Sequence, residues 1–137
     1  MEYLSNKYSQ SAVIPYKFIN GTLQILLIKS RSGKWIIPKG IIEDGLTPQE
    51  SARREAIEEA GVNGKVSDKL FGEYQYEKWG GICIVKIFAM NVEEEYEIWQ
   101  EDYFRIRKWF LIDKAITKVS ERKISEILEN LEKELSN

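Results

Sequence analysis

Apolar and polar residues along the chain fall into short blocks that predict strands first, then one helix, then strands again and a closing helix. Residues 11–19 (SAVIPYKFI) and 22–29 (TLQILLIK) are two apolar-rich runs separated by Asn20-Gly21, the dipeptide favoured in two-residue hairpin turns. Pro15 in the first run predicts an edge or a bulge, because it has no N–H to give to a ladder. A cationic loop, SRSGKW, leads to a short strand at 35–37 that stops at Pro38. Residues 65–79 read as interrupted strand, Gly80-Gly81 as a turn, and 82–90 (ICIVKIFAM) as a central strand. Residues 91–102 read as an acidic loop and 103–110 as a last strand. Residues 120–135 place Ile124, Ile127, Leu128, Leu131 and Leu135 at helical spacing, which predicts an amphipathic helix covering the core.

The first helix carries the unusual pattern. Thr47 as N-cap, Pro48 in the first turn and Glu50 completing a capping box set its start, and Gly61 sets its end. Ala52, Ala56, Ile57 and Ala60 form an apolar arc. Beside it, Glu55, Glu58 and Glu59 stand at i, i+3 and i+4, on one face. Like charges at i, i+4 cost about 0.2–0.5 kcal/mol per exposed pair, and anions near a helix C-terminus also oppose the macrodipole. A hard divalent cation such as Mg²⁺, which prefers carboxylate oxygens, removes the conflict. For three glutamates alone a solvated acidic face is the commoner explanation. Gly40, Arg54, Gly61 and the capping pattern together make it the minor one.

Composition narrows the classes. The 137 residues suit one domain spanning 1–137, and 43% hydrophobic with 31% charged residues argues for a folded core. A net charge of −2 argues against a general nucleic-acid or membrane-surface binder. Cys83 has no partner for an internal disulfide, and the opening MEYLSNKYSQS shows no leader pattern, so a cytoplasmic location is expected. Without histidine, acid–base work near pH 7 falls to carboxylates, Lys, Tyr or metal-bound water.

Residues 40–62, GIIEDGLTPQESARREAIEEAGV, resemble the Nudix box, the signature of the Nudix hydrolase family. The resemblance implies an α/β/α sandwich, a mixed sheet with a catalytic helix and a C-terminal helix. It implies a Mg²⁺-dependent (or Mn²⁺-dependent) attack of water on a phosphoanhydride. By position, Glu55, Glu58 and Glu59 correspond to the family's metal-ligating glutamates, with Glu58 a ligand or the base. Arg54 corresponds to the arginine that orients them, and Gly40 to a residue whose carbonyl is a metal ligand. Leu46 departs from the pattern: the family usually has a glutamate there that supports the box arginine, and Glu43 or Asp44 are the candidate replacements. A shorter match, EEEYEIWQEDYFRIRKWF, resembles diphosphoinositol polyphosphate phosphohydrolase-like members, a group that includes dinucleoside polyphosphate hydrolases. It points to a small-molecule substrate with many phosphates. A nucleotide sugar, a damaged nucleoside triphosphate, or a weak nucleotide-binding sensor are the alternatives. Dimers are common in the family, so a homodimer is compatible, but no segment marks an interface.

Arg31, Lys39 and Arg53 are candidate phosphate-binding cations, against the plainer reading as surface charge. Glu94, Glu95 and Glu97 are late acidic residues of which one could join the site, and Tyr74, Tyr76, Trp99 and Trp109 could stack on a base or simply pack. Lys86, inside an apolar run, calls for an acidic partner or a bound phosphate.

Overall fold

A computed structural model describes residues 6–136, so the reading of the opening residues and the outer ends of the expected 1–137 unit lie outside the described residues. The hairpin forms as expected: β1 (Lys7–Ile19) and β2 (Thr22–Lys29) pair antiparallel across Asn20 and Gly21, which have φ of 52° and 78°. Pro15 sits where β1 changes neighbour, from β4 (Lys39–Ile41) at residues 10–12 to β2 at 16–19, so its missing N–H leaves no ladder bond unmade. On its other edge β1 runs parallel to β7 (Gly81–Glu95). β6 (Gly72–Lys78) and β5 (Val62–Val66) pair antiparallel with successive stretches of β7. β3 (Trp35–Ile36) and β8 (Arg107–Leu111) flank β2. One parallel pair among antiparallel ones makes a mixed sheet.

Strand alternation gives the sheet two apolar faces. Ala12, Ile14, Ile25, Leu27, Val85 and Ile87 face α2 (Ile112–Lys118) and α3 (Arg122–Leu135), whose Ala115, Ile124, Leu128 and Leu131 close that core. Val13, Leu26, Ile28, Phe88 and Met90 face α1 (Pro48–Glu55) and the turn after it, which pack with Ala52, Ala56 and Ala60. Three fully buried alanines let the helix backbone approach the sheet closely. The result is the expected α/β/α sandwich.

Several expectations change. The helix does not stay α to Gly61: residues Ala56–Ala60 wind as a π turn, with the Gly61 N–H reaching the Ala56 and Ile57 carbonyls. Ile57 consequently leaves the apolar arc and is only half-buried. The acidic stretch 91–95 is strand rather than loop, because β5 pairs with it. The second tight turn is Trp79-Gly80, both with positive φ, while Gly81 already belongs to β7. The last strand begins at Arg107, and α2 follows it without a break. Lys86 is half-buried and faces Glu73 across the ladder, an acidic residue in register.

Candidate active site

The site grows from the meeting of β4 with the α1–π segment. The capping box fixes the helix start: the Glu50 N–H donates to Thr47 Oγ1 at 3.1 Å, and the Thr47 N–H donates to Glu50 Oε1 at 2.8 Å. One helix length later, Glu55 lies against Gly40. A Cβ there would stand 2.8 Å from Glu55 Oε1 and closer still to the rest of the carboxylate. Glycine leaves this space to the carboxylate, which any side chain at position 40 would displace. Glu59 approaches from the π turn and accepts the Lys39 N–H at 3.2 Å.

Two carboxylates held together away from water resist ionising. Burial pushes Glu55 up to about 7, against a hydrogen bond with Glu59 that lowers it, with the charges of Glu58, Glu101 and Glu43 adding to the rise. Burial, then the Glu55 charge, pushes Glu59 up to about 8, against the pull of Arg105 and the Lys39 N–H. Glu58 takes a different direction. It lines a groove of about 460 Å³ with Leu46, Glu50, Arg53, Arg54, Ile57 and Gln100. Among the described residues no three carboxylates are gathered closely enough to chelate an ion as placed. The donor chemistry nonetheless fits a hard cation. The donors are all oxygens, negative charge is in excess, and the Glu55 carboxylate is cradled on Gly40.

Arg54 is ion-paired with Glu43, not with Glu50 one turn back. Glu43, one of the two candidate replacements for a glutamate at position 46, reaches the arginine from the loop before the helix. Arg53 lines the groove beside Glu58, and its Nε donates to Asn63 Oδ1 at 2.7 Å. Arg31 lies over the Phe104 ring at 4.0 Å. Lys39 joins two regions: its N–H holds Glu59, while its side chain enters a cavity of about 220 Å³ on the α3 side of the sheet. There Nζ sits 4.2 Å from the Tyr76 ring and 3.4 Å from Tyr74 Oη. Burial lowers the Lys39 pKa, and Lys78 lowers it further. Ile36, Ile37, Val119 and Ile124 make the cavity wall apolar, and Glu121 adds a carboxylate. Tyr74 and Tyr76 stack 6.2 Å apart along it, and burial pushes Tyr76 up to about 12.

The segment 96–107 holds Glu101, Arg105 and Arg107, which sequence patterning missed, and Trp99, which it left between stacking and packing. Trp99 Nε1 donates to the Glu59 carbonyl at 3.1 Å, and the Glu101 N–H donates to the Glu58 carbonyl at 3.1 Å. Arg107 Nη1 donates to the Ala60 and Gly61 carbonyls at 3.0 and 3.2 Å and stacks 3.9 Å from the Trp99 ring. These groups satisfy carbonyls that end a helix without partners, and the guanidinium places positive charge at the negative end of the dipole. Gly61, with φ of 66°, leaves room for both Trp99 and Arg107. The acid–Trp–basic–Trp-Phe segment is thus a clamp on the glutamate-bearing helix. Glu94 and Glu95 bond elsewhere, to Tyr96 and to Trp109, and the late acidic residue whose charge reaches Glu55 and Glu59 is Glu101. The signal available in the sequence was the pair Arg105 and Arg107, two cations one residue apart entering a strand beside an acidic run. Cys83 is buried. No helix among the described residues is long and apolar enough to cross a membrane.

Residues 9–131 match the NUDIX domain family model. Nudix hydrolase 16, mitochondrial, of Arabidopsis thaliana is 35% identical over 122 residues, covering 75% of this chain and 67% of its own length. Diphosphoinositol polyphosphate phosphohydrolase 3-alpha of Mus musculus is 34% identical over 97 residues, covering 68% of this chain and 58% of its own. Among solved structures, a C. elegans Ap4A hydrolase binary complex superposes with a TM-score of 0.74 at 19% identity, covering 94% of this chain and 98% of that one. The chain thus spans about two thirds or less of the two curated relatives named here.

Proposed function

The chain belongs to the Nudix hydrolase family, and we propose that it is a divalent-cation-dependent pyrophosphohydrolase acting on a small polyphosphate. The observation that carries this is the Glu55–Glu59 pair: two half-buried carboxylates with raised pKa values, pressed against Gly40 and the Lys39 N–H. Such a pair is costly unless something positive joins it. Glu55, Glu59 and the Gly40 carbonyl would hold a Mg²⁺ or Mn²⁺ ion, with Glu58 completing the set or taking a proton from the attacking water. Bound there, the cation supplies charge neutralisation for phosphate oxygens and a lowered pKa for water. The chain's own part is positional. Arg54 and Glu43 brace the loop before the helix, and Trp99 and Arg107 fix its end. Arg31, Lys39 and Arg53 are the candidate phosphate-binding cations. Of these, Lys39 bonds Glu59 through its N–H and sends its side chain into the Tyr74–Tyr76 cavity, which makes it the strongest candidate for a substrate contact.

The favoured substrates are a dinucleoside polyphosphate or a diphosphoinositol polyphosphate, the latter in line with the mouse diphosphoinositol polyphosphate phosphohydrolase. The cavity favours the former. A phosphate-dense inositol ring is poorly matched to aliphatic walls with Glu121 among them, whereas a flat base suits the Tyr74 and Tyr76 rings. The test is a panel of dinucleoside polyphosphates, diphosphoinositol polyphosphates, nucleotide sugars and nucleoside triphosphates, with products resolved and a chelator control. Hydrolysis of the first class with cation, and none with chelator, is expected. No turnover of any member, together with a nucleotide-induced rise in melting temperature, would establish the sensor reading instead.

A further inference from the structure

We propose that Arg105 is a positioning residue for the cation site, one that holds Glu59 and Glu101 in place from outside the helix; this rests on the metal-dependent reading above. Its guanidinium is enclosed, with the side chain 12% exposed. Nε donates to Glu101 Oε1 at 3.0 Å, Nη1 donates to the Lys29 carbonyl at 3.1 Å, and Nη2 stands 4.0 Å from Glu59 Oε2. Its Cζ also lies 4.8 Å from the centre of the Phe104 ring, which carries Arg31 as well.

The anchor matters most. Lys29 ends β2, a strand whose residues 25–28 are fully buried, so the guanidinium takes its position from the sheet and not from the loop. Glu101 is tied to the same frame by the ion pair and by the Arg105 N–H donating to its carbonyl at 3.0 Å. A planar fork reaches a carbonyl and a carboxylate in fixed directions at once. A lysine ammonium is a point charge and does not.

Charge and geometry oppose each other here, which makes the role measurable. A guanidinium 4.0 Å from Glu59 repels an arriving cation, so by charge alone its removal tightens cation binding. If Arg105 places the carboxylates, its removal loosens binding, and groups that orient metal ligands typically cost roughly 10–100-fold in affinity when lost.

The experiment titrates Mn²⁺ into the substrate-free full chain, following free Mn²⁺ by electron paramagnetic resonance, for wild type, R105Q and R105K. Melting temperature and circular dichroism report folding. R105Q is expected to bind Mn²⁺ roughly 10–100-fold more weakly, and R105K, although it keeps the charge, to stay well below wild type. In turnover of a dinucleoside polyphosphate, kcat and kcat/KM fall together with KM unchanged. Equal or tighter binding by R105Q, or full recovery in R105K, overturns the proposal. Should R105Q fail to fold, R105K decides alone by the same criterion. A wild type that binds no Mn²⁺ overturns the metal-dependent reading and this one with it, whereas variants equal to a binding wild type overturn only this one.

Discussion

Replacing Glu59 by Gln is predicted to stabilise the metal-free protein at pH 8 and to leave it nearly unchanged at pH 5. The carboxyl is pushed from the ordinary 4.5 up to about 8 by burial and by Glu55. A folded-state pKa raised above the unfolded value means that the native state binds the extra proton. The resulting stability is fully present below about 4.5 and is lost as pH rises through about 8. Were Glu59 to titrate alone, the loss by pH 8 would approach ~4 kcal/mol; shared with Glu55, about 2–3 kcal/mol is the working figure. Gln has the same shape, and its amide oxygen can still accept the Lys39 N–H. Urea denaturation in chelator should therefore show the variant's midpoint above that of wild type by roughly 1–2 M at pH 8, with the two converging at pH 5. Equal midpoints at pH 8, or a gap that persists undiminished at pH 5, would refute a buried, proton-holding pair.

Other consequences follow from the same geometry. Gly40→Ala should keep the fold but expel the Glu55 carboxylate, lowering Mn²⁺ affinity at least ~10-fold in a binding titration. Glu43→Gln should lower kcat roughly 10-fold by freeing Arg54, and adding Leu46→Glu should recover much of that loss, which steady-state kinetics would read. Trp99→Phe keeps a ring beside Arg107 but loses the bond to the Glu59 carbonyl, costing about 1 kcal/mol in urea unfolding.

Local signals carried the front half of the molecule. Asn20-Gly21, the Thr47 capping box and the alanine spacing are decided within a few residues, and each appears where the sequence put it. The π turn was not legible in the local periodicity; Trp99 and Arg107 hold the carbonyls at its end from 40 and more positions away in sequence. The stretch 91–95 misled for a related reason: its charge suggests a loop, while pairing with β5 makes it strand. The box marked Glu55, Glu58 and Glu59 as candidates by pattern. That Glu55 and Glu59 both lie against β4 while Glu58 lines a separate groove follows only from the packing of β4 against the helix. Glu101 and Arg105 form a local i, i+4 pair, but their relation to Glu59 and the site is tertiary.

The most direct measurement is hydrolysis of a dinucleoside polyphosphate at saturating substrate, by wild type and by Glu59→Gln, with Mg²⁺ and with chelator. Turnover by wild type with Mg²⁺ alone, falling roughly 100-fold or more in a folded Glu59→Gln, is the predicted result. Turnover that survives the chelator, or a Glu59→Gln variant as fast as wild type, would contradict the cation site built on the Glu55–Glu59 pair.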